Sequence, residues 1–384
     1  EVDKWQAGRS GSDSRTMERF RASLLGTDPD NWASNNYDIR NGMTVDDIEI
    51  RGTPKAKNSV SYQITTKDYI DSDMTIAKNL GPYLIPDEFF TIKEGSTVIV
   101  DPGAIIKFSH GDGGRIYAEG VLKAEGTESE PVVFTSFYDD EFGGDMGNNG
   151  TTTPAGPGQV RGLWFKPTSS GSSLDHVLIR YGGRYFHGDS MLGRANLGIE
   201  EADVSISNSI FENSYSNGVV FEGTPATFEN NIVRGNDDVG MRIEGGAPRI
   251  IGNIFESNYT GLWVMDASGA KIIDNDFRNN SEYAVRSWLD IAEYSGNSGS
   301  GNSLGGIGIS DDFLPDGVTT LKKNEMPYII DTRATVSENQ ELTFESGVVF
   351  KGRHSNFPPG ILIVEDGGRM FYGGATTSEI IFTS

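Results

Sequence analysis

Asn230-Asn231-Ile232-Val233-Arg234-Gly235-Asn236 is followed by Val239-Gly240-Met241-Arg242-Ile243-Glu244 and then by Pro248-Arg249-Ile250-Ile251-Gly252. Three short apolar runs parted by Gly, Asn, Asp and Pro are strand and turn signals. The order returns at once as Asn253-Ile254-Phe255, Gly261-Leu262-Trp263-Val264 and Ala270-Lys271-Ile272-Ile273. A helical reading fails, because no window of 11 residues keeps a 3.6-residue period free of Gly and Asn. Working outward, Asn208, Asn230, Asn253 and Asn275 are spaced by 22, 23 and 22 residues, and Asn213, Asn236, Asn258 and Asn280 by 23, 22 and 22. Gly218, Gly240 and Gly261 follow in phase, with Ala284 in the fourth place. A repeat of this length is too short for a pair of helices, so each repeat is one coil of chain stacked on the next. Strands in one column then pair in parallel with their counterparts roughly 4.8 Å along the axis. The asparagines are expected to point inward at turns, where Asn tolerates left-handed backbone and its amide can bond its equivalents above and below.

With these columns the chain resembles the right-handed parallel β-helix proteins of bacteria over roughly residues 79–290. The resemblance implies an all-β fold, a right-handed parallel β-helix with three-strand coils of about 22 residues. It leaves activity open, since the family spans pectate lyases, other polysaccharide lyases and epimerases, phage tailspikes and large non-catalytic surface proteins.

The formal net charge of −23 comes with no basic cluster beyond pairs such as Lys322-Lys323, which argues against nucleic acid and against an anionic membrane as partners. Cysteine is absent, excluding disulfides, zinc–thiolate sites and a cysteine nucleophile. No run approaches 18 apolar residues, so no membrane insertion is expected. The resemblance places the protein outside a bacterial cell or on its surface.

Four regions are expected. Residues 1–70 form a small β-rich segment ahead of the coils. Ser14-Arg15-Thr16-Met17-Glu18-Arg19-Phe20, Thr27-Asp28-Pro29-Asp30-Asn31-Trp32 and Gly52-Thr53-Pro54-Lys55-Ala56-Lys57-Asn58-Ser59 resemble the closing half of a bacterial lamin-tail domain, with Lys55 where a Gly is usual and the opening strands missing. Residues 71–290 form the β-helix, 291–325 a Gly/Ser/Asp-rich linker, and 326–384 the start of a second array. The second array is read from a duplication. Pro82-Tyr83-Leu84-Ile85 returns 245 residues later as Pro327-Tyr328-Ile329-Ile330, and Phe134-Thr135-Ser136 has its echo in Phe382-Thr383-Ser384. The partial first domain and the bare end of the second array lead us to expect a fragment of a longer surface protein.

Three constellations could carry chemistry. In the loop 139–150, Asp139, Asp140, Asp145, Asn148 and Asn149 supply the oxygens a calcium ion wants, although the same composition also makes a solvated turn. On the middle strand column, inward Val219 and Phe221 send Val220 and Glu222 outward, and the same alternation exposes Arg242 and Glu244, Trp263 and Met265, Arg286 and Trp288, and Trp164 and Lys166. Trp164, Arg242, Trp263, Arg286 and Trp288 therefore make a candidate carbohydrate-binding strip, unless the 181–201 or 290–325 segment covers it. For catalysis, Arg242, Arg286, Asp266, His187 and Asp189 do not form the acidic cluster with adjacent Arg of a lyase, while Glu222 and Glu244, one coil apart on the same column, lie close to a retaining glycosidase's separation, as pairs on any β-helix surface do. His176 aligns with Asn208 and is read as a buried structural residue. No catalytic residue is assigned.

These features predict a non-catalytic structural or adhesive module of a large bacterial surface or secreted protein, with a polysaccharide or neighbouring copies as partners. The alternative is a polysaccharide lyase or glycoside hydrolase acting on an acidic polysaccharide.

Overall fold

The computed structural model describes residues 64, 68–78, 82–85, 89–109, 114–144, 153–184, 190–288, 292–309, 314, 316–331, 333–353, 360–373 and 381–383, with the backbone of 17–19 and 32–34. They form a right-handed parallel β-helix. A long sheet of 13 strands runs from Tyr69–Ile70 to Ile381–Thr383, and two nine-stranded sheets flank it. The second sheet runs from Tyr83–Ile85 to Ser298–Ser300, and the third from Met74–Ile76 to Glu293–Ser295. In the segment ahead of the coils, Met17–Arg19 pairs antiparallel with Trp32–Ser34. The rest of the lamin-tail-like pattern lies outside the described residues.

Strand alternation sends one apolar residue per rung into the lumen. The second sheet contributes Phe211, Val233, Phe255 and Phe277, the third Phe228, Ile250 and Ile272, and all are fully buried. Phe255 and Phe277 stack face to face at 5.0 Å. Each buried side chain of this size contributes about 1.5–3 kcal/mol.

The asparagine ladders exist, with Asn236, Asn253, Asn258, Asn275 and Asn280 in them as expected and Asn208, Asn213 and Asn230 one residue before them. The inward stacks are Ser209-Asn231-Asn253-Asn275-Asn297 and Ser214-Asn236-Asn258-Asn280-Asn302, with a uniform step of 22. Asn253 Nδ2 donates to Asn275 Oδ1 at 2.9 Å and to the Phe228 carbonyl at 2.8 Å, while its Oδ1 accepts from the Asn231 backbone N–H at 2.8 Å. Asn208, Asn213 and Asn230 stand at the corners just before the ladders, with φ of 49°, 54° and 56°. The 23-residue steps in the sequence were crossings from a corner column to an inward one. His176 also belongs to a corner, at φ 47°, half-buried and bonded to Asp175, so its expected place inside the core is corrected. Gly218 and Gly240 lie where an inward asparagine leaves no room. A Cβ on Gly240 would sit 2.7 Å from Asn258 Nδ2 and 2.6 Å from the Gly261 carbonyl oxygen.

The boundary at 291 also shifts. Glu293–Ser295, Ser298–Ser300 and Leu304–Ile309 form one more coil, because Asn297 and Asn302 complete both ladders. Beyond it the long sheet continues through Tyr328–Ile330 and Val349–Gly352, while new short sheets replace the other two. The duplication is real at atomic detail: Tyr83 donates to the Ala77 carbonyl and Tyr328 to that of Lys322, both at 2.8 Å. The Lys78 side chain lies beside Gly103 as that of Lys323 lies beside Gly347. Yet Tyr83–Ile85 belongs to the second sheet and Tyr328–Ile330 to the long one, so the copy continues the cylinder rotated by one face. Tyr283, which bonds Asp331 and lies 3.1 Å from Arg353 Nη1, fastens the junction. Burial, then the Asp331 carboxylate, pushes its phenol far above the usual range.

Asn253→Ala should cost roughly 2–4 kcal/mol, since it removes the acceptor of the buried Asn231 N–H groups and the donor to the Phe228 carbonyl and Asn275 Oδ1. Asn230→Gly at the corner should cost less than about 1 kcal/mol. Chemical denaturation of the two variants checks the ordering.

Candidate functional site

The outer face of the long sheet carries two parallel rails. The first runs Tyr69-Thr91-Tyr117-Trp164-Gly198-Val220-Arg242-Trp263-Arg286 in strand register. The second lies two residues further along each strand. It holds Lys93, Glu119, Lys166, Glu200, Glu222, Glu244, Met265 and Trp288. The candidate strip residues therefore do share one face, with Trp288 on the second rail.

The strip is interrupted. Residues 190–194 cross the sheet as a strap whose Leu192 packs on Val220, with Trp164 and Met191 against the same cluster. Arg115 Nη2 bonds the Gly193 carbonyl, and Asn217 N–H donates to that of Arg194 at 3.0 Å. Gly198 is needed there, because a Cβ would come within 2.7 Å of the Leu192 oxygen. Val220 points outward as expected but is fully buried beneath the strap, and Met265 is buried as well.

On the C-terminal side of the strap, Arg242 and Arg286 rise from the coils on either side of Trp263. Their guanidinium carbons lie 4.5 and 4.6 Å from its ring centroid. The three side chains form a cation–π triad centred on the indole ring. Arg242 also bonds Glu244 at 2.7 Å.

On the N-terminal side Tyr117 and Trp164 are half-buried, with the Arg115 guanidinium carbon 5.6 and 5.5 Å from their ring centroids, and that of Arg161 lies 5.2 Å from the Phe89 centroid. Phe89 is 46% exposed on the sheet face. It leans on Tyr117 at 5.2 Å, which leans on Trp164 at 5.5 Å. Lys166 Nζ stands 3.8 Å from the Trp164 ring centroid and pairs with Glu200 at 2.8 Å, and Trp164 Nε1 donates to the same carboxylate at 3.1 Å. Tyr117 and Phe89 were not singled out from sequence. Ile116 turned inward one coil before Trp164 was the signal for Tyr117.

Beyond Glu200 the charges of the second rail stop alternating. Glu222 stands between Glu200 and Glu244, and burial, reinforced by Glu244 and Glu200 against Lys166, raises its pKa above the ordinary carboxylate value.

The acidic loop is organised differently from a calcium site at its start. Asp139 is buried, and its carboxylate accepts from Arg180 Nε at 2.8 Å, from Arg180 Nη2 at 2.7 Å and from Thr135. Buried Lys107 donates to the Asp139 and Gly144 carbonyls at 2.8 and 2.7 Å. Asp139 is thereby committed to Arg180, while Asp140 is exposed and Asp145, Asn148 and Asn149 lie outside the described residues, as do His187 and Asp189. Among the described residues no three His, Asp or Glu side chains gather around a common point, and no helix is long and apolar enough to cross a membrane.

A family model described as a right handed beta helix region matches residues 195–326. Among solved structures, the chain is similar to the mannuronan C-5 epimerase A-module of Azotobacter vinelandii. The identity is 12% and the TM-score 0.40, over 82% of this chain and 90% of that one. It is also similar to endopolygalacturonase I of Stereum purpureum, at 14% identity and a TM-score of 0.27, over 82% and 96%. No curated protein matches the sequence.

Because the folded pKa of Glu222 is raised, its ionisation costs stability once the pH climbs through that value, and costs nothing below the unfolded value of about 4.3. Glu222→Gln should therefore melt above wild type at pH 7 and level with it at pH 3. Scanning calorimetry at both pH values checks the sign.

Proposed function

We propose that this chain is a non-catalytic glycan-binding module that grips its ligand on the outer face of the long sheet, at Phe89, Tyr117 and Trp164. One observation carries the reading: a phenylalanine nearly half exposed on a sheet face, propped in a staircase of aromatic rings on successive coils. Aromatic planes bordered by polar groups suit the faces of sugar rings, which are apolar in the middle and hydroxylated at the edge. A rigid solenoid displaying such a surface fits a scaffold or adhesin outside the cell. A calcium role for the loop that continues past Asp140 would belong to the same setting.

A second reading, cleavage of the bound glycan, is supported by Glu222. Glu222 stands one coil from the Arg242-paired Glu244, its pKa shifted upward by burial and then by Glu244, and two such carboxyls on one face are what a glycosidase uses. Release of reducing ends that disappears in Glu222→Gln would establish it.

Phe89→Ala should leave melting unchanged and weaken polysaccharide retention at least tenfold in affinity electrophoresis. Trp263→Ala should do the reverse, costing roughly 2–4 kcal/mol of stability with retention intact. Loss of retention in Trp263→Ala alone would move the site to the other side of the strap.

A further inference from the structure

The charged rail beside the aromatic staircase has a pattern of its own. Reading along the coils it runs Lys93, Glu119, Lys166 and Glu200, one residue per rung and alternating in sign. Neighbours pair as Lys93 with Glu119 at 3.3 Å and Lys166 with Glu200 at 2.8 Å. Each side chain keeps 29–45% of its surface exposed, so the pairs are open to a ligand. An ammonium has three donors and a carboxylate about four acceptor positions, so both pairs retain hydrogen-bonding capacity after meeting each other. The four charges cancel, in a chain whose net charge is −23. The other cations against the rings, Arg115 and Arg161, are only 1% and 7% exposed, so a polyanion would meet the negative field of the whole molecule with Lys93 and Lys166, each already paired to a carboxylate, as the ammonium groups within its reach.

On the C-terminal side the strap ends the staircase at Gly198 and Val220, where Leu192 fills the face. The open length, from Tyr69 through Thr91 and Tyr117 to Trp164, is three rungs, or about 14 Å along the axis at the parallel strand spacing. Rings and charged pairs both ascend in that direction, so a chain lying along the axis meets an aromatic face and a hydroxyl-bonding pair together.

We propose that this platform takes a short stretch of an uncharged polysaccharide, laid parallel to the helix axis, with the Lys93–Glu119 and Lys166–Glu200 pairs as its specificity-determining residues. The inference rests on the glycan-binding reading of Phe89, Tyr117 and Trp164 and adds the chemical class and the direction of the ligand.

Affinity electrophoresis in low salt tests it, with dextran, galactomannan and hydroxyethyl cellulose as neutral polymers and carboxymethyl dextran and carboxymethyl cellulose as their anionic counterparts. At least one neutral polymer should retard the protein, with its carboxymethylated form binding at least tenfold more weakly. Lys166→Gln and Glu200→Gln, in preparations that keep wild-type melting, should each weaken retention about five- to tenfold. Lys322→Gln, which breaks an ion pair with Glu293 at the edge of the third sheet, should not. Tighter binding of the anionic polymers would overturn the class. Silent Lys166 and Glu200 variants alongside a defective Phe89→Ala would overturn the assignment of the pairs while leaving the platform standing. No retardation by any polymer would overturn the platform itself.

Discussion

The amide-to-amide hydrogen bond inside the cylinder sets everything else. Asn253, Asn258, Asn275 and Asn280 each spend the oxygen on the backbone and side-chain N–H of one neighbouring coil and the nitrogen on a carbonyl and an amide of others. A buried amide is tolerable only when so fully engaged. The arrangement works at one coil height, one corner geometry and one step of 22 residues, so it locks the register of all three sheets together. Corners must then take left-handed backbone directly before each amide, which is why Asn, Asp and Gly alternate there at positive φ, as at Asn230, Gly252 and Asp274.

Much of this was legible because the repeat prints it directly: three apolar runs per coil, outward and inward residues by alternation, and Trp164, Arg242, Trp263 and Arg286 on one face. The one-residue offset at Asn208, Asn213 and Asn230 has a simple cause. Corner and interior positions both favour asparagine, for different reasons, and adjacent pairs such as Asn230-Asn231 do not say which is which. Only the bonds separate them. Residues 291–325 were set apart because glycine and serine dominate them, yet Asn297 and Asn302 already stood at the right spacing.

The site was less legible than the fold. Alternation places a side chain outside the sheet but does not say what lies over it. Val220 and Met265 are outward and buried, and Trp263 is outward with two guanidinium groups against its ring. Coverage by the strap depends on an irregular segment with no repeat to read, and its trace in the sequence is a single glycine, Gly198. Asp139 was drawn away from the acidic loop by Arg180, a partner 41 residues distant that only the stacking of coils brings near.

The rotated duplication has a geometric outcome of its own. Arg115–Ala118, the strand that bears Tyr117, occupies the long sheet, whereas Ile361–Val364, which follows Val349–Gly352 as Arg115–Ala118 follows Ile105–Phe108, occupies a short sheet on another side of the cylinder. Homologous surfaces of the two arrays therefore look in different directions. A prism built this way can evolve its flanks separately, each facing its own neighbour, while the interior amides keep a single pitch for both.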